Sequence, residues 1–176
     1  MDGCRRIKVK EYVADCGTLV LGEYEGKLCL CDWLTEKHHE NVKRRLKRIL
    51  KAEFEEDLTG MTIEKATRQL DEYFAGRRKT FDIPLLFVGT DFQRRVWGEL
   101  LKIEYGTTIS YRTLAHRIGM PMAVRAVANA AGANSISIFA PCHRVVGSDR
   151  SLTGYGGGLD VKKALLQLES PLLFKD

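Results

Sequence analysis

The chain has 176 residues, 44% of them hydrophobic, which is enough material for one large or two small buried cores. No apolar run approaches the roughly 18 residues of a membrane span, and the first ten residues lack the apolar centre of a secretory signal, so we expect no membrane association and a cytoplasmic protein, or a nuclear one in a eukaryote. The formal net charge is +5, and most of the excess lies in residues 86–176, which favours a polyanionic partner for the second half.

Residues 5–33 alternate apolar and polar side chains and are interrupted by glycine-containing turns, a pattern that predicts an antiparallel meander of three strands. Two amphipathic helices are expected to follow, at about residues 39–51 and 62–75, and the second is predicted to stop at Gly76. These elements predict an α/β N-terminal domain over residues 1–86.

Most of the cysteines lie in this first half, close to two histidines. The set comprises Cys4, Cys16, Cys29, Cys31, His38 and His39. Cys29 and Cys31 are two apart on a predicted strand, so we expect their side chains to project from the same face. The spacings typical of structural zinc sites are absent, and partly buried free thiols are the better interpretation. We therefore predict no cofactor, while a structural zinc in the N-terminal domain stays open as an alternative.

The second half, residues 87–176, is predicted to be a mainly α-helical domain. Residues 90–93 have the Thr-x-x-Gln pattern of a capping box and should begin a helix. Ser110 is expected to cap a helix over residues 111–118, and Pro121 to start another that ends near Gly132. Two short helices joined by a glycine-bearing turn are typical of a helix-turn-helix, although an ordinary helical hairpin is the commoner occurrence.

The second of these short helices has unusually small side chains, so its surface is smooth. It consists largely of alanine, and Arg125 is its one long charged side chain. A smooth helix can lie close to the wall of a nucleic-acid groove, so this composition favours the helix-turn-helix interpretation.

Cys142 and His143 stand side by side after Pro141 and the apolar run 136–140, which we predict to be a buried strand. A free thiol has a pKa of about 8.5, so a nucleophilic cysteine needs surroundings that lower its pKa or a base that removes its proton. His143 is the candidate base. Glu169, on the inward face of a helix predicted over residues 160–170, is the candidate carboxylate that would orient the imidazole. The alternative is an inert buried cysteine beside a surface histidine.

Several short stretches of the second half, in the same order, resemble the O6-alkylguanine-DNA alkyltransferases, also called methylated-DNA–protein-cysteine methyltransferases. The matching stretches are Phe92-Gln93-x-x-Val96-Trp97, Ile109-Ser110-Tyr111-x-x-Leu114-Ala115, Arg125-Ala126-Val127, Asn134, Pro141-Cys142-His143-Arg144-Val145-Val146, Gly154-Tyr155-x-Gly157-Gly158 and Lys162-x-x-Leu165-Leu166-x-x-Glu169. The first half matches only in outline, as the variable α/β domain of that family.

The resemblance implies a direct-reversal DNA repair protein. Such proteins bind double-stranded DNA through the minor groove, extrude an O6-alkylguanine from the stack and transfer its alkyl group irreversibly to their own cysteine, here Cys142. Each molecule would act once, and we expect it to act as a monomer. A non-catalytic binder of alkylated DNA is the alternative, but such binders replace the reactive cysteine.

The resemblance also implies a role for individual residues. The implied catalytic residues are Cys142, His143, Glu169, Asn134 and Tyr111. The implied DNA contacts are Tyr111, Ala126, Ala130 and Arg125, the last as a finger that fills the space of the extruded base. The implied substrate pocket comprises Trp97, Met122, Val145, Tyr155 and Gly156. At Gly156 some members of the family have a serine. No residue is predicted to bind metal in the transfer reaction.

Overall fold

The computed structural model describes residues 5–174, and its N-terminal half is built on a four-stranded sheet. The strands are β1 (Arg5–Ala14), β2 (Gly17–Tyr24), β3 (Lys27–Trp33) and β4 (Ala52–Glu56), in the spatial order β3-β2-β1-β4. The first three form the predicted antiparallel meander. β4 pairs with β1 in parallel and was not predicted, because its sequence AEFEE carries three glutamates and only two apolar side chains.

Two helices cover the two faces of this sheet. The helix α1 (Glu36–Leu50) packs Val42 and Leu46 against one face, and α2 (Met61–Phe74) packs Ile63 and Leu70 against the other. Strand residues alternate between the two faces, so the sheet contributes to both cores. The predicted α/β organisation of the N-terminal half is confirmed.

A β-bulge in β3 separates the two cysteines that were predicted to share a face. Leu30 pairs with Gly22 and Leu28 with Glu23, which leaves Cys29 without a partner on β2. An extra residue breaks the alternation of side chains, so Cys29 joins the core beneath α1 and Cys31 the core beneath α2. The shared-face prediction is therefore wrong. Within residues 5–174, no three histidine, cysteine or acidic side chains are grouped so that they could hold a metal ion, and Cys4 lies outside that range.

The C-terminal half is mainly helical, as predicted. Its elements are α3 (Asp91–Leu100), β5 (Ile109–Ser110), α4 (Tyr111–Arg117), α5 (Val124–Gly132), a 3-10 helix (Cys142–Arg144), β6 (Val145–Val146) and α6 (Leu159–Glu169). Thr90 and Gln93 form both hydrogen bonds of the predicted capping box. α5 begins three residues later than predicted, because Pro121 lies inside a turn closed by the Ala123 N–H and the Met120 carbonyl.

The apolar run 136–140 is buried, but it is not the predicted strand. Ile136 alone forms a bridge, to Cys31, and the rest of the run is a turn in which Ile138 has a φ of 70°. The Asn134 side chain causes this turn: its Oδ1 accepts from the Ile136 N–H and its Nδ2 donates to the Ala140 carbonyl. Side-chain amides that bond nearby backbone groups compete in this way with regular strands.

The two halves share one hydrophobic core. Leu19, Leu21, Ile63 and Leu70 from the first half pack in one cluster with residues from the second, which are Ile136, Ile138, Phe139 and Leu165. The rings of Phe81 and Phe139 have their centroids 4.5 Å apart. Over the described residues, no helix combines the length and the apolar character that crossing a membrane would require.

Candidate active site

Cys142 opens the 3-10 helix, directly after Pro141, and its residue surface is 8% exposed. The Asn134 Nδ2 lies 3.3 Å from the Cys142 Sγ. Burial raises the pKa of the Cys142 thiol, and the hydrogen bond from Asn134 and the charge of Lys162 oppose this rise only in part. At neutral pH the resting group is therefore the thiol, and of the two expected routes to a nucleophile these surroundings favour the second, a base that removes the thiol proton.

His143 and Glu169 form a buried pair, with the His143 Nε2 2.7 Å from the Glu169 Oε1. Burial is the largest influence on Glu169 and acts to raise its pKa, but the contacts with His143 and Arg144 together outweigh it and lower the pKa. Burial lowers the pKa of His143 despite the attraction of Glu169. A neutral imidazole therefore faces an ionised carboxylate.

This charge distribution fixes the tautomer of His143. A carboxylate accepts hydrogen bonds only, so the network assigns the proton to Nε2. The other ring nitrogen, Nδ1, is buried and has no hydrogen-bond partner among residues 5–174. Its lone pair is thus available to accept a proton.

Glu169 has further partners that compensate its buried charge. Arg144 donates to it through Nε and Nη2, at 2.8 and 3.0 Å. The Tyr73 hydroxyl donates at 2.7 Å and the Gly106 N–H at 3.2 Å. An unpaired buried carboxylate would cost several kcal/mol, and these donors remove that penalty.

Two of these partners were missed by the sequence interpretation. Arg144 adjoins the Cys-His pair, and that adjacency was a usable signal. Tyr73 lies on α2 in the N-terminal half, where it resembles any inward aromatic residue of an amphipathic helix, so no local signal marks it.

A buried lysine on α6 is a third residue whose role the sequence interpretation missed. The Lys162 Nζ donates to the Val145 carbonyl at 2.6 Å, to the Thr153 carbonyl at 2.9 Å and to the Tyr111 hydroxyl at 3.4 Å. Burial lowers the pKa of Lys162 to about 8. A lysine one turn before Leu165 and Leu166, on the inward face of the helix, was the signal that could have revealed it.

A cavity of about 10 Å³ lies beside Cys142, with space for about one water molecule. Its lining residues are His38, Tyr111, Ala131, Gly132, Asn134, Ser137, Cys142, Gly154, Tyr155 and Gly156. The structure thus brings Tyr111, Asn134, Tyr155 and Gly156 together around Cys142. His38 was not predicted here.

Three residues predicted for the pocket do not line this cavity. Trp97 is buried in the helical core of the C-terminal half and donates from Nε1 to the Ala130 carbonyl at 2.8 Å. Val145 packs in the same helical core. Met122 lies in the turn before α5 and is 96% exposed, because that turn extends outward before the helix starts. Their place in a pocket large enough for the whole base stays a prediction.

The segment 33–35 of the N-terminal half holds the loop that carries Tyr155 and Gly156. The Trp33 Nε1 donates to the Tyr155 hydroxyl at 2.9 Å, and the Thr35 hydroxyl donates to the Gly156 carbonyl at 3.0 Å. A Cβ added at Gly157 would lie 2.7 Å from Trp33 ring atoms, so only glycine fits there. Burial raises the pKa of Tyr155 well above its usual value, which keeps the phenol neutral.

The helix-turn-helix presents a basic outer surface. Arg125 and Ala126 are exposed at the start of α5, and Arg112 is exposed on α4. No acidic residue occurs in the sequence between Glu104 and Asp149. Ala130 was predicted to contact DNA, but it is 4% exposed and packs in the core on the inward face of α5, so that prediction is wrong.

Two sequence-family models match the chain. The model described as the ribonuclease-like domain of 6-O-methylguanine DNA methyltransferase matches residues 12–87. The model described as the DNA binding domain of the same family matches residues 91–171.

Curated relatives are similar over much of the chain. The methylated-DNA–protein-cysteine methyltransferase of Mycobacterium tuberculosis H37Rv is 48% identical over 141 residues, which are 77% of this chain and 85% of the relative. The constitutive methylated-DNA–protein-cysteine methyltransferase of Bacillus subtilis is 49% identical over 108 residues, covering 61% and 66% of the two chains.

Solved structures agree with these similarities. The OGT of M. tuberculosis in complex with DNA superposes with a TM-score of 0.80 and 39% identity, covering 94% of this chain and 93% of that one. The O6-methylguanine-DNA methyltransferase of Pyrococcus kodakaraensis has a TM-score of 0.64 at 23% identity and supports the fold alone.

Proposed function

The chain belongs to the methylated-DNA–protein-cysteine methyltransferase family, and from that premise we propose that Cys142 receives the alkyl group of O6-alkylguanine in double-stranded DNA. The protein repairs DNA by direct reversal, with the alkyl group transferred to its own cysteine in one irreversible step. The observation that carries the assignment to Cys142 is its thiol beside Asn134, next to a buried neutral His143 that Glu169 orients.

The transfer begins with removal of the thiol proton. His143 accepts that proton at Nδ1, directly or through one water, and ionised Glu169 stabilises the imidazolium that forms. The Cys142 sulfur then attacks the alkyl carbon. A C–S bond forms while the C–O6 bond breaks, and the electron pair of the C–O6 bond passes to the guanine ring.

The leaving guanine needs a proton, and Tyr111 is the donor that the site offers. Its hydroxyl donates to the Thr153 carbonyl at 3.1 Å and accepts from the Lys162 Nζ at 3.4 Å. Burial raises the pKa of Tyr111, so the phenol is protonated at neutral pH and has a proton to give when negative charge develops on the guanine. The Tyr111 phenolate then regains a proton from the His143 imidazolium through solvent, so the net movement carries the Cys142 thiol proton to the guanine. Guanine then leaves in its normal form and Cys142 keeps the alkyl group as a thioether.

The base must leave the stack before it can reach Cys142. We place α5 in the minor groove, where its small side chains permit close approach and Arg125 fills the space of the extruded guanine. Unstacking costs a few kcal/mol, and an alkylated guanine that pairs badly is the least costly to extrude. One protein molecule, acting as a monomer, suffices for this arrangement.

Mass spectrometry tests the proposal. The protein is incubated with a duplex that carries one O6-methylguanine, and we expect the intact mass to rise by one methyl group, which peptide mapping locates on Cys142. Cys142→Ala should bind the same duplex and gain no mass. Binding without any mass gain by the wild-type protein would identify a damage binder, and methylation of a different cysteine would refute the assignment.

A further inference from the structure

One residue of the N-terminal half reaches the active-site cavity. Among the described residues that line it, His38 alone comes from that half, and all the others lie between residues 111 and 156. His38 is in the first turn of α1, and its side chain is 23% exposed. The proposed chemistry gives it no role.

The imidazole of His38 is held at both nitrogens. Nε2 lies 2.8 Å from the Gly132 carbonyl at the end of α5. Nδ1 lies 3.2 Å from the Asp32 Oδ1, within ion-pair range although outside the alignment of a hydrogen bond. Both nitrogens face oxygen atoms, which favours the doubly protonated ring. Asp32 raises the pKa of His38, with help from Gly132 and against the effect of burial.

His38 cannot easily retreat from the cavity. Asp32 is completely buried, and its other carboxylate oxygen contacts the Nδ1 of His39 at 3.0 Å. The Asp32 Oδ1 accepts no hydrogen bond among the described residues, so movement of the His38 ring would also remove the ion pair that compensates its buried charge, which is unfavourable. These contacts hold the His38 imidazole in place, so it is a part of the cavity lining that resists displacement.

The same ring occupies the space that a side chain at position 156 would need. A Cβ added at Gly156 would lie 2.7 Å from the His38 Cε1, 2.8 Å from its Nδ1 and 3.0 Å from its Nε2. Such distances are far below van der Waals contact, so either residue 156 or residue 38 can fill this space, but not both.

We propose that His38 sets the breadth of the alkyl pocket and thereby restricts efficient transfer to small O6-alkyl groups. The inference rests on the proposed function, because the alkyl group must lie against the Cys142 sulfur inside this cavity. A methyl group needs little more room than the cavity already offers. A benzyl group needs several times more space, and the His38 ring, which resists displacement, prevents the cavity from widening to hold it.

The test compares single-turnover transfer from duplexes that carry O6-methylguanine or O6-benzylguanine. His38→Ala should raise the benzyl-to-methyl ratio of rate constants by at least about tenfold, the usual scale for a change of pocket size. His38→Phe, which restores bulk without charge, should keep the ratio low. His39→Ala is the matched control, because His39 also contacts Asp32 but does not line the cavity, and its ratio should stay at the wild-type value.

A double-mutant comparison tests the shared space directly. Gly156→Ala should slow benzyl transfer more than methyl transfer in the wild-type background. In a His38→Ala background the same substitution should have a much smaller effect, because the overlapping ring is gone.

The outcomes separate this inference from the proposed function. Methyl transfer at the wild-type rate with an unchanged ratio in His38→Ala would overturn the inference and leave the function intact. An equal rise in His39→Ala would also overturn it, because the effect would then come from Asp32. If the wild-type protein transferred no methyl group at all, the proposed function itself would fail.

Discussion

At the scale of residues, one buried carboxylate organises the chemistry. Glu169 is ionised because Arg144 and His143 face it, and that charge makes His143 a donor at Nε2 and an acceptor at Nδ1. Cys142 stays a thiol at rest because burial raises its pKa. The site therefore holds a protonated nucleophile and an unprotonated base in its resting state.

Glu169→Gln should slow alkyl transfer by a factor of about 10² to 10⁴, the usual value of a positioned acid–base group. A neutral amide no longer stabilises the imidazolium that forms when His143 takes the thiol proton. Single-turnover rates on methylated duplex measure the effect. Tyr73→Phe removes another hydrogen bond to Glu169 without touching His143, and it should cost much less; equal losses would mean that Glu169 acts only through the structure.

The pH dependence of transfer should follow His143 rather than Cys142. The pKa of His143 is lowered from 6.5, so more than half of the imidazole is already neutral at pH 6.5, and activity should fall mainly at lower pH, where the imidazole becomes protonated. The pKa of Cys142 is raised from 9.0, so the thiol is the main form between pH 6.5 and 9.0, and transfer in which His143 removes the thiol proton should be nearly independent of pH there. A single-turnover rate that climbed tenfold per pH unit across that interval would instead show direct attack by free thiolate.

Site residues could be predicted from the sequence when they are adjacent in the chain or when they lie on the inward face of an amphipathic helix. Cys142 and His143 are adjacent, and Glu169 lies on the inward face of an amphipathic helix. His38 and Tyr73 are about 100 residues away along the chain, and only the tertiary fold brings them to the site. The sequence could not decide between a lowered thiol pKa and a base that removes the proton, because burial, the dominant influence on that pKa, depends on packing that the sequence does not display.

At the scale of elements, α5 combines a buried face with an outer face on which most side chains are small. Val127, Ala130 and Ala131 pack inward, while Arg125 and Ala126 are exposed. The turn around Pro121 delays the start of the helix, so Arg125 lies in its first turn. An arginine in that position is free to extend from the protein towards a bound duplex.

Arg125→Ala should weaken repair of duplex DNA much more than reaction with free O6-methylguanine, because a free base does not have to be extruded. Arg125→Lys should recover only part of the loss, since lysine restores the charge but not the flat guanidinium that can replace a stacked base. Arg112→Ala, on α4, controls for the loss of one positive charge. Single-turnover rates on both substrates give the comparison, and full rescue by lysine would reduce Arg125 to a phosphate contact.

The errors at this scale arose where a local interaction overrode a repeating pattern. The run 136–140 has the composition of a strand, but the Asn134 side chain binds its backbone and folds it into a turn. Cys29 and Cys31 follow strand spacing, but a bulge places them on opposite faces. The helices were predicted more successfully, because their apolar period extends over several turns.

At the scale of the whole molecule, the two halves depend on each other. The cluster that contains Leu19 and Leu70 also contains Phe139 and Leu165, so neither half can bury all of its apolar surface alone. Trp33 and Thr35 hold the pocket loop, and Arg45 donates to the Ala133 carbonyl just beyond α5. The N-terminal half thus supports the active site of the C-terminal half.

The protein should unfold in one cooperative transition. Its two tryptophans, Trp33 and Trp97, lie in different halves, so Trp33→Phe and Trp97→Phe provide one fluorescent reporter for each half. Urea denaturation of each variant, followed by tryptophan fluorescence and by circular dichroism, should give coincident midpoints within the variant. Fluorescence midpoints that consistently separate from the circular dichroism midpoint would indicate two independently stable domains.

The small cavity beside Cys142 also bears on the protein after it has reacted. Space for about one water is slightly less than a permanent thioether methyl group needs, and overfilled cores typically lose about 1 to 3 kcal/mol. For a chain of this size each kcal/mol lowers the melting temperature by about 2 to 4 °C. Methylated protein should therefore melt below unreacted protein, and an equal or higher melting temperature would contradict this. In a mixed sample, the amplitude of the lower melting transition would then give the fraction of molecules that have already been methylated.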